Sequence, residues 1–482
     1  MITKYNYLLL GLLLAACYSC GDFLEEVSQD EFEPETAVAF QELLNGQGYC
    51  FSELDGLTWY MSDDVDGCEC NYSSDVYSAY RDVFTWQYYM HQTLEDNNIQ
   101  DYTYENYYEC IMVCNVITDY IEESEGSEEE INTTLGEALA LRAYYYFQLV
   151  NIFATPYNDS RTTPDQRLGV PLVTKSEIRD EGVARNTVEE VYEQITSDIE
   201  QATTLLDEYQ TDNGVWRIGY VGAHLIASRI YLYMEEWDKV IEHATAALEG
   251  APELCYLPEY AYSNSYYPQN STNPVVSSTF PETIFVFGSM PGDLGFMGTP
   301  INLSDDLVNC FTDENDSRRG MYFDETSGSL VYPYYTYKHG TAERGYVWRT
   351  AELYLNRAEA YMEKYKAGES EYGQLAVDDL NELRSNRFTN YTDYELSTAE
   401  ELEEMCRLER RKELFMEGHR WFDLRRYGMP SIEHTWVDEN GNRTTYTLEE
   451  QDPGYVVPLS QDVLDRNPRL EQNELAPDRT GH

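Results

Sequence analysis

Tyrosine and its aromatic neighbours are the residues of this sequence best suited to holding a ligand. The chain has 44 tyrosines, and aromatic residues make up 14% of its 482 positions. A tyrosine ring has an apolar face and a hydroxyl group. Such rings can stack on sugars or hold peptides, while carboxylates accept hydrogen bonds from sugar hydroxyls. For any single aromatic residue, packing between helices is an equally good explanation.

Three stretches of the sequence concentrate these residues. The first runs from Trp59 to Asp64 and continues through tyrosines to Arg81 and Trp86. The second spans residues 256–267 and offers Tyr262, Tyr266 and Tyr267 as ligand contacts, and the third spans residues 332–337. We predict ligand binding for these patches more firmly than for their individual members.

A dense run of charges between residues 409 and 426 could suggest catalysis. Three of its glutamates are spaced by four, which places them on one face of a helix. Arg410 and other charged residues of the run can pair around them. Hydrogen-bonded ion networks of this kind fix helix packing, and structure explains the run better than catalysis. The predicted structural network consists of Glu409, Glu413, Glu417, Arg420, Asp423 and Arg426.

No enzyme motif or cofactor site stands out in the sequence. Gly-x-Ser-x-Gly, His-Glu-x-x-His and phosphate-loop patterns are absent, and no pair stands out among the 88 acidic residues as a glycosidase dyad. The seven histidines form no metal-like cluster. Asp63–Asp66 and Asp313–Asp316 supply oxygen atoms that suit calcium, but solvated acidic turns explain them better. We therefore expect neither catalysis nor a cofactor.

The charge and the cysteines narrow the function further. Net charge is −56, so nucleic acid is a poor partner, because phosphate binding needs clustered lysine and arginine. Cys68 and Cys70 lack a nearby histidine and do not suggest zinc. Cys110 and Cys114 share a helical face and are read as buried thiols. Some thiols could oxidise if the chain is exported.

The first 16 residues have the features of a lipoprotein signal peptide. Lys4 precedes an apolar run that is too short to span a bilayer. The run ends in small residues before Cys17, a spacing that resembles a lipobox. The Cys17 thiol would then receive a diacylglycerol and its amine a further acyl chain, which together hold a protein on a membrane. Cys20 is the alternative lipid site, and an ordinary secretory peptide is the other explanation of the segment.

Helical periodicity dominates the rest of the chain. Apolar residues recur at three- and four-residue steps over residues 104–121, 188–206, 349–364, 374–387 and 399–418. Asn186 or Thr187 is the expected N-cap of the second of these helices. Residues 221–235 and 237–248 predict a hairpin that resembles a tetratricopeptide unit. Residues 250–345 are irregular except for a short strand at 283–287.

Several segments, taken in order, resemble the SusD/RagB family of outer-membrane nutrient-binding lipoproteins of Bacteroidetes. The most specific of them is the charged run Glu409–Arg426. The other matching segments are Cys20–Glu25, Gly136–Phe147, Gly169–Leu172, Arg185–Val188, Arg349–Leu355, Ala358–Ala360, Asn381–Arg384, Asn467–Pro468 and Gln472–Asn473. Each motif is weak alone, but their number and order cover nearly the whole chain. The first segment favours Cys20 as the lipid site, whereas the lipobox favours Cys17.

The resemblance implies a mostly α fold in which tetratricopeptide-like hairpins support an irregular ligand-binding portion. We expect a single SusD-like domain over residues 17–482, with a helical part at 20–250, an irregular insert at 251–345 and a C-terminal part at 346–482. Ligand contacts in the first patch are then Asp64, Tyr80, Arg81 and Trp86.

The function that the resemblance implies is surface capture. A lipid-anchored protein on the outer membrane, facing the exterior, would pass glycans to a SusC-like TonB-dependent transporter. Peptide capture and a purely structural lid on the transporter are the alternatives.

Overall fold

A computed structural model describes residues 34–50, 55–68, 79–177, 181–263, 274–288, 301–324, 335–336, 338 and 346–482. Cys17, Cys20 and most of the third aromatic patch lie outside these residues. Within the described chain, none of the helices combines the length and the apolar character needed to cross a membrane.

The described chain is mostly α-helical, which confirms the predicted fold class. Its α-helices are α1 (Ala37–Leu43), α2 (Arg81–Phe84), α3 (Met90–Asp96), α4 (Thr103–Tyr120), α5 (Glu128–Phe153), α6 (Val188–Glu208), α7 (Tyr220–Met234), α8 (Trp237–Gly250), α9 (Leu257–Ser263), α10 (Asp305–Asn309), α11 (Ser317–Tyr322), α12 (Thr350–Lys366), α13 (Glu371–Ser385), α14 (Ala399–Leu414), α15 (Arg420–Arg426) and α16 (Gln461–Arg466).

Local sequence sets where the long helices begin. The Thr187 side chain accepts a hydrogen bond from the backbone of Glu190, whose carboxylate accepts one from the Thr187 backbone, so Thr187 is the N-cap of α6. This confirms one of the two expected residues. Thr398 and Glu401 form the same capping box at the start of α14.

Helical hairpins form the scaffold, as the sequence predicts. Helix α5 packs between α4 and α6, α7 pairs with α8, and α12 packs against α8, α13 and α14. Ala223 and Ala227 on α7 are fully buried, as is Ala244 on α8. Small side chains at these positions let two helices approach closely, which is the packing expected of a tetratricopeptide-like unit.

Short antiparallel strand pairs join the helical parts. The strands are β1 (Val65–Gly67), β2 (Thr283–Phe287), β3 (Ile301–Leu303), β4 (Phe323–Asp324), β5 (Tyr335–Thr336), β6 (Tyr346–Arg349), β7 (Ile432–Val437) and β8 (Arg443–Leu448). Their pairings are β1 with β3, β2 with β6, β4 with β5, and β7 with β8. The predicted strand at 283–287 is confirmed as β2.

Hairpin β7–β8 was not predicted. Its turn contains Asn440 and Gly441, the latter with φ of +77°, and this dipeptide is a strong hairpin signal. Strand β7 lies directly against β1. The approach is so close that a Cβ atom added at Gly67 would lie 1.8 Å from the carbonyl oxygen of Thr435. The hairpin therefore backs the first aromatic patch.

A buried ion network centred on Glu413 joins α14 to the irregular part of the chain. Its carboxylate accepts hydrogen bonds from Arg387 at 3.0 Å, Arg349 at 2.9 Å and Arg318 at 3.2 Å. Arg349 also donates to Glu417, and Arg318 donates to Glu409 at 2.8 Å. The three predicted glutamates therefore do belong to one network, but their main partners are arginines from outside the run.

Two details of the predicted network are wrong, namely the position of Glu417 and the grouping of the remaining members. Helix α14 ends at Leu414, and Met416 (φ +56°) and Gly418 (φ +79°) turn the chain away. Glu417 therefore shares no helical face with Glu409 and reaches Arg349 from the loop instead.

The other predicted members form two separate clusters. Asp423 accepts hydrogen bonds from Arg410 and Arg426, and Arg426 also pairs with Glu359. Arg420 pairs instead with Asp63, near the first aromatic patch.

We expect Glu413→Gln to lower the free energy of unfolding by roughly 3–5 kcal/mol, because it removes the charge that balances three buried arginines. Burial alone raises the pKa of Glu413, but Arg387, Arg349 and Arg318 outweigh it and hold the pKa well below its usual range. Chemical denaturation followed by circular dichroism measures the change. Glu404→Gln, at an exposed position of the same helix, is the control and should shift stability by less than about 0.5 kcal/mol.

The hairpin of α7 and α8 encloses a pair of histidines. Nδ1 of His224 lies 2.9 Å from Nδ1 of His243. The outer ring nitrogens contact Asp207 at 3.0 Å and Glu200 at 3.4 Å, respectively. Tyr231 stacks on His243 with an interplanar angle of 10°. Two nitrogens at this distance share one proton, so a second positive charge between them is unfavourable.

Stability should fall in acid because of this pair. Burial, and then His224, lower the pKa of His243, although Glu200 and Glu242 oppose the shift. The folded state therefore resists protonation. The stability that neutral His243 contributes is fully present above about pH 6.5, the pKa of a histidine in the unfolded chain. It is lost as the pH falls through the lower pKa that His243 has in the folded state. We expect His243→Gln to flatten the stability profile between about pH 7 and pH 5. Identical pH dependence in the wild type and the variant would refute this role.

Candidate functional site

The first aromatic patch divides into a buried half and an exposed half. Trp59, Tyr60 and Met61 are buried, and Trp86 is 0% exposed. Trp86 donates a hydrogen bond from its indole nitrogen to the carbonyl oxygen of Met61 at 2.9 Å, and its ring stacks on His434 with centroids 4.2 Å apart. A ring covered in this way has no face left for a sugar. The prediction that Trp86 contacts ligand is therefore corrected: it belongs to the core.

Trp86 nevertheless shapes the surface around it. Its φ of +52° lies in the left-handed region, which is costly for a bulky residue and persists only where the surroundings impose it. His434, on β7, approaches the carbonyl oxygens of Phe84 at 2.7 Å and Ser62 at 3.0 Å. The hairpin thus holds the turn at Trp86 that directs the following residues.

Asp64 also lies inside the protein. Its carboxylate accepts a hydrogen bond from Arg411 at 2.8 Å, and the neighbouring Asp63 binds Arg420 at 2.7 Å. Asp66 accepts the backbone N–H of Thr435. Asp64 therefore stabilises the junction with α14 and is not placed to contact a ligand, which corrects the prediction.

Several carboxylates of the acidic segments considered for calcium are paired with basic side chains. Asp63 and Asp64 pair with arginines as described, and Asp316 pairs with Arg318 and Lys412. In the part of the chain that the structure describes, no group of three histidine, cysteine or acidic side chains could hold a metal ion.

Tyr80 and Arg81 lie closer to solvent. The Tyr80 ring is half-buried against Tyr60, with centroids 4.8 Å apart. Arg81 is exposed and donates a hydrogen bond to the Tyr446 hydroxyl at 2.6 Å. Of the four residues predicted in this patch, Arg81 is the best placed to reach a ligand.

Two exposed tyrosines beyond the predicted set complete the surface. Tyr88 is 40% exposed and Tyr89 is 37% exposed, and their rings meet edge to face with centroids 5.1 Å apart. Burial, Asp82 and Asp478 raise the pKa of Tyr89, so carboxylates lie near its hydroxyl. We define the tyrosine patch as Arg81, Asp82, Tyr88 and Tyr89. Sequence analysis missed this pair because the left-handed turn at Trp86 that exposes it is not visible in aromatic content alone.

The C-terminal part of the chain fastens this turn. Gln87 donates a side-chain hydrogen bond to the carbonyl oxygen of Arg479 at 3.0 Å and accepts one from the Arg479 backbone at 3.1 Å. The Arg479 guanidinium donates to the carbonyl oxygen of Trp86 and pairs with Asp452. The tyrosine patch therefore rests on rigid partners on both sides.

A polar cleft follows the tyrosine patch along the chain. It has a volume of about 870 Å³ and lies between α3, the start of α4 and α16. Asn98, Asp101, Asp462 and Arg466 line it together with Tyr102, which is among the exposed aromatic residues. Amides, carboxylates, a guanidinium and one ring are groups that bind hydroxyl-rich ligands.

The second predicted patch stays untested. Tyr266 and Tyr267 lie outside the described residues, and of Tyr262 only the helical backbone at the end of α9 is described.

We expect Trp86→Ala to cost roughly 3–5 kcal/mol of stability, as truncation of a fully buried tryptophan does. Tyr88→Ala, two positions away but exposed, should cost less than about 0.5 kcal/mol. Denaturant unfolding of the two purified variants measures both. A Trp86→Ala protein of wild-type stability would show that the ring is not a core residue.

Helical hairpins that carry an exposed aromatic surface and a polar cleft define a binding protein, and comparison with known families agrees. The model of a family described as "Starch-binding associating with outer membrane" matches residues 22–232, and the SusD family model matches residues 312–475. The chain belongs to the SusD/RagB family.

Known relatives match this chain over most of its length. SusD-like protein P25 of Formosa agariphila is 22% identical, with 97% of this chain and 98% of that protein aligned. A SusD superfamily protein of Bacteroides thetaiotaomicron superposes with a TM-score of 0.71 at 24% identity, covering 91% of this chain and 100% of the other. A SusD-like carbohydrate binding protein of Bacteroides vulgatus gives 0.67 at 21% identity, covering 90% and 97%.

Proposed function

We propose that this protein captures glycans at the cell surface and delivers them to a SusC-like TonB-dependent transporter. The observation that carries the proposal is the tyrosine patch, in which two exposed rings stand beside a guanidinium and a carboxylate. Rings of this kind stack on the C–H faces of sugars, and the charged groups bind their hydroxyls. The match to a family described as starch-binding supports the choice of glycan over peptide.

The charge of the protein favours neutral glycans. At −56, the net charge repels sulfated or uronate-rich chains before they reach the surface. A neutral oligosaccharide meets no such barrier, and the carboxylates near Tyr89 can accept hydrogen bonds from its hydroxyl groups.

The leader and the family both support a location at the outer membrane. A lipid on Cys17, or on Cys20, would tether the chain to the outer membrane, facing the exterior. A family described as associating with the outer membrane supports this location.

The double variant Tyr88→Ala/Tyr89→Ala should weaken glycan binding by about thirtyfold or more, because each lost stacking contact removes about 1–2 kcal/mol. Affinity electrophoresis against neutral polysaccharides, followed by calorimetry on the retained ones, measures the loss. Tyr120→Ala is the matched control, since Tyr120 is also exposed (55%) but lies at the far end of α4.

Two outcomes would overturn the proposal. Retardation by no neutral glycan, together with measurable binding of peptides, would favour the peptide alternative. Equal glycan affinity in the double variant and the control would move the site away from the tyrosine patch.

A further inference from the structure

A second cleft lies between α1, the first turns of α5 and the loop that follows α6. Its volume is about 780 Å³, which is within the range that small ligands occupy. We call it the α1 cleft, and its lining includes Val38, Gln41, Asn45, Thr133, Asn213 and Arg217. It shares no residue with the tyrosine patch or with the polar cleft. The α1 cleft is therefore a separate cavity of the protein.

A buried carboxylate holds the floor of the α1 cleft. Glu137, on α5, is fully buried and accepts hydrogen bonds from the Tyr49 hydroxyl at 2.6 Å and from the Asn213 side-chain amide at 3.0 Å. Nε of Arg217 donates to the same carboxylate at 3.1 Å, and Nη2 of Arg217 donates to the side-chain oxygen of Gln41 at 2.7 Å. These polar groups are fixed before a ligand arrives, so little side-chain entropy is lost on binding.

An exposed tryptophan stands at the edge of this floor. Trp216 is 59% exposed and ends a short 3-10 turn, Gly214–Trp216, which packs against β2. The residues that flank the turn, Asn213 and Arg217, both line the α1 cleft and are both bonded to Glu137. Tryptophan is highly buried on average in folded proteins. An exposed indole on a fixed turn beside a cleft is thus a candidate surface for contact with a ligand.

The α1 cleft suits a neutral ligand that is rich in hydroxyl groups. The charge of Arg217 is already balanced by its ion pair with Glu137. The side-chain amides of Gln41, Asn45 and Asn213 can both donate and accept hydrogen bonds, as hydroxyl groups do. Carboxylates on the rim of the cleft repel anions. The exposed ones are those of Glu42, Glu129 and Asp212.

Helix α4 separates the α1 cleft from the polar cleft that follows the tyrosine patch. Tyr102, which lines the polar cleft, directly precedes the first residue of α4. Beyond the other end of α4, the carbonyl oxygen of Glu125 accepts the backbone N–H of Ala37 at 2.9 Å, and Ala37 lines the α1 cleft. With 18 residues, α4 spans about 27 Å. One sugar ring cannot bridge this distance, but a polysaccharide chain can.

We propose that the α1 cleft, with Trp216 at its edge, is a second binding site for neutral glycans. The inference rests on the proposed function for the class of ligand but not for the location of the first site. The indole ring stacks on the C–H face of a sugar, and the amides of the floor bind its hydroxyl groups. A polysaccharide held at both sites gains avidity, because its second contact is intramolecular, whereas a short oligosaccharide fills each site separately.

Calorimetry on a short glycan tests the proposal. The purified protein is first screened by affinity electrophoresis against amylopectin, galactomannan, xyloglucan and laminarin, and a short oligosaccharide cut from a retained polysaccharide is then titrated. We expect two binding sites in the wild type and one in Trp216→Ala or Asn45→Ala. Tyr120→Ala should keep both sites, because Tyr120 is exposed at the same end of α4 but does not line the cleft. On the intact polysaccharide, Trp216→Ala should lower the affinity by about tenfold or more.

The variants separate this inference from the proposed function. A single site that survives Trp216→Ala and Asn45→Ala but is lost in Tyr88→Ala/Tyr89→Ala would refute the second site and leave the proposed function standing. A single site that is lost in Trp216→Ala but kept in the tyrosine double variant would refute the tyrosine patch instead. Retardation by none of the four polysaccharides would overturn the second site. Peptides of a casein digest that bind the wild type but not Trp216→Ala would assign the cleft to peptides.

Discussion

Three arginines converge on the carboxylate of Glu413, where α14 meets the irregular part of the chain. Arg318 comes from the irregular region, Arg349 from the strand that precedes α12, and Arg387 from the turn just after α13. All four side chains are fully buried, so each charge depends on the others. A network of this kind stabilises little relative to an apolar core, but breaking it is costly, and it tolerates only one arrangement of the segments around it.

The same network fixes where the chain leaves the helical scaffold. Arg349 binds Glu413 on α14 and also Glu417 in the loop that follows, and so holds the turn at Met416 and Gly418 in place. That turn leads to α15 and on to the β7–β8 hairpin. Through His434, the hairpin holds Trp86 and hence the exposed tyrosines. The binding surface is thus connected to the ion network through a series of packed elements.

The sequence predicted the helical scaffold well and the site only in part. Helix positions and the Thr187 cap follow from local patterns, which one sequence contains. The partners of Glu413 are distant in sequence, and spacing within the charged run carries no information about them. The exposed pair Tyr88 and Tyr89 was missed because these tyrosines share one short segment with Trp86, and all three are aromatic. Only the left-handed turn between them decides which ring faces inward.

The bond between Gln87 and Arg479 has a consequence for when the protein becomes functional. These residues are 392 positions apart, so the turn that presents the tyrosines is closed by one of the most distant contacts in the chain. Contacts of such separation form late, because the loop entropy must be overcome first. A partly folded or partly exported chain would therefore carry its aromatic residues without presenting them. The protein would then be able to bind a ligand only after folding is complete.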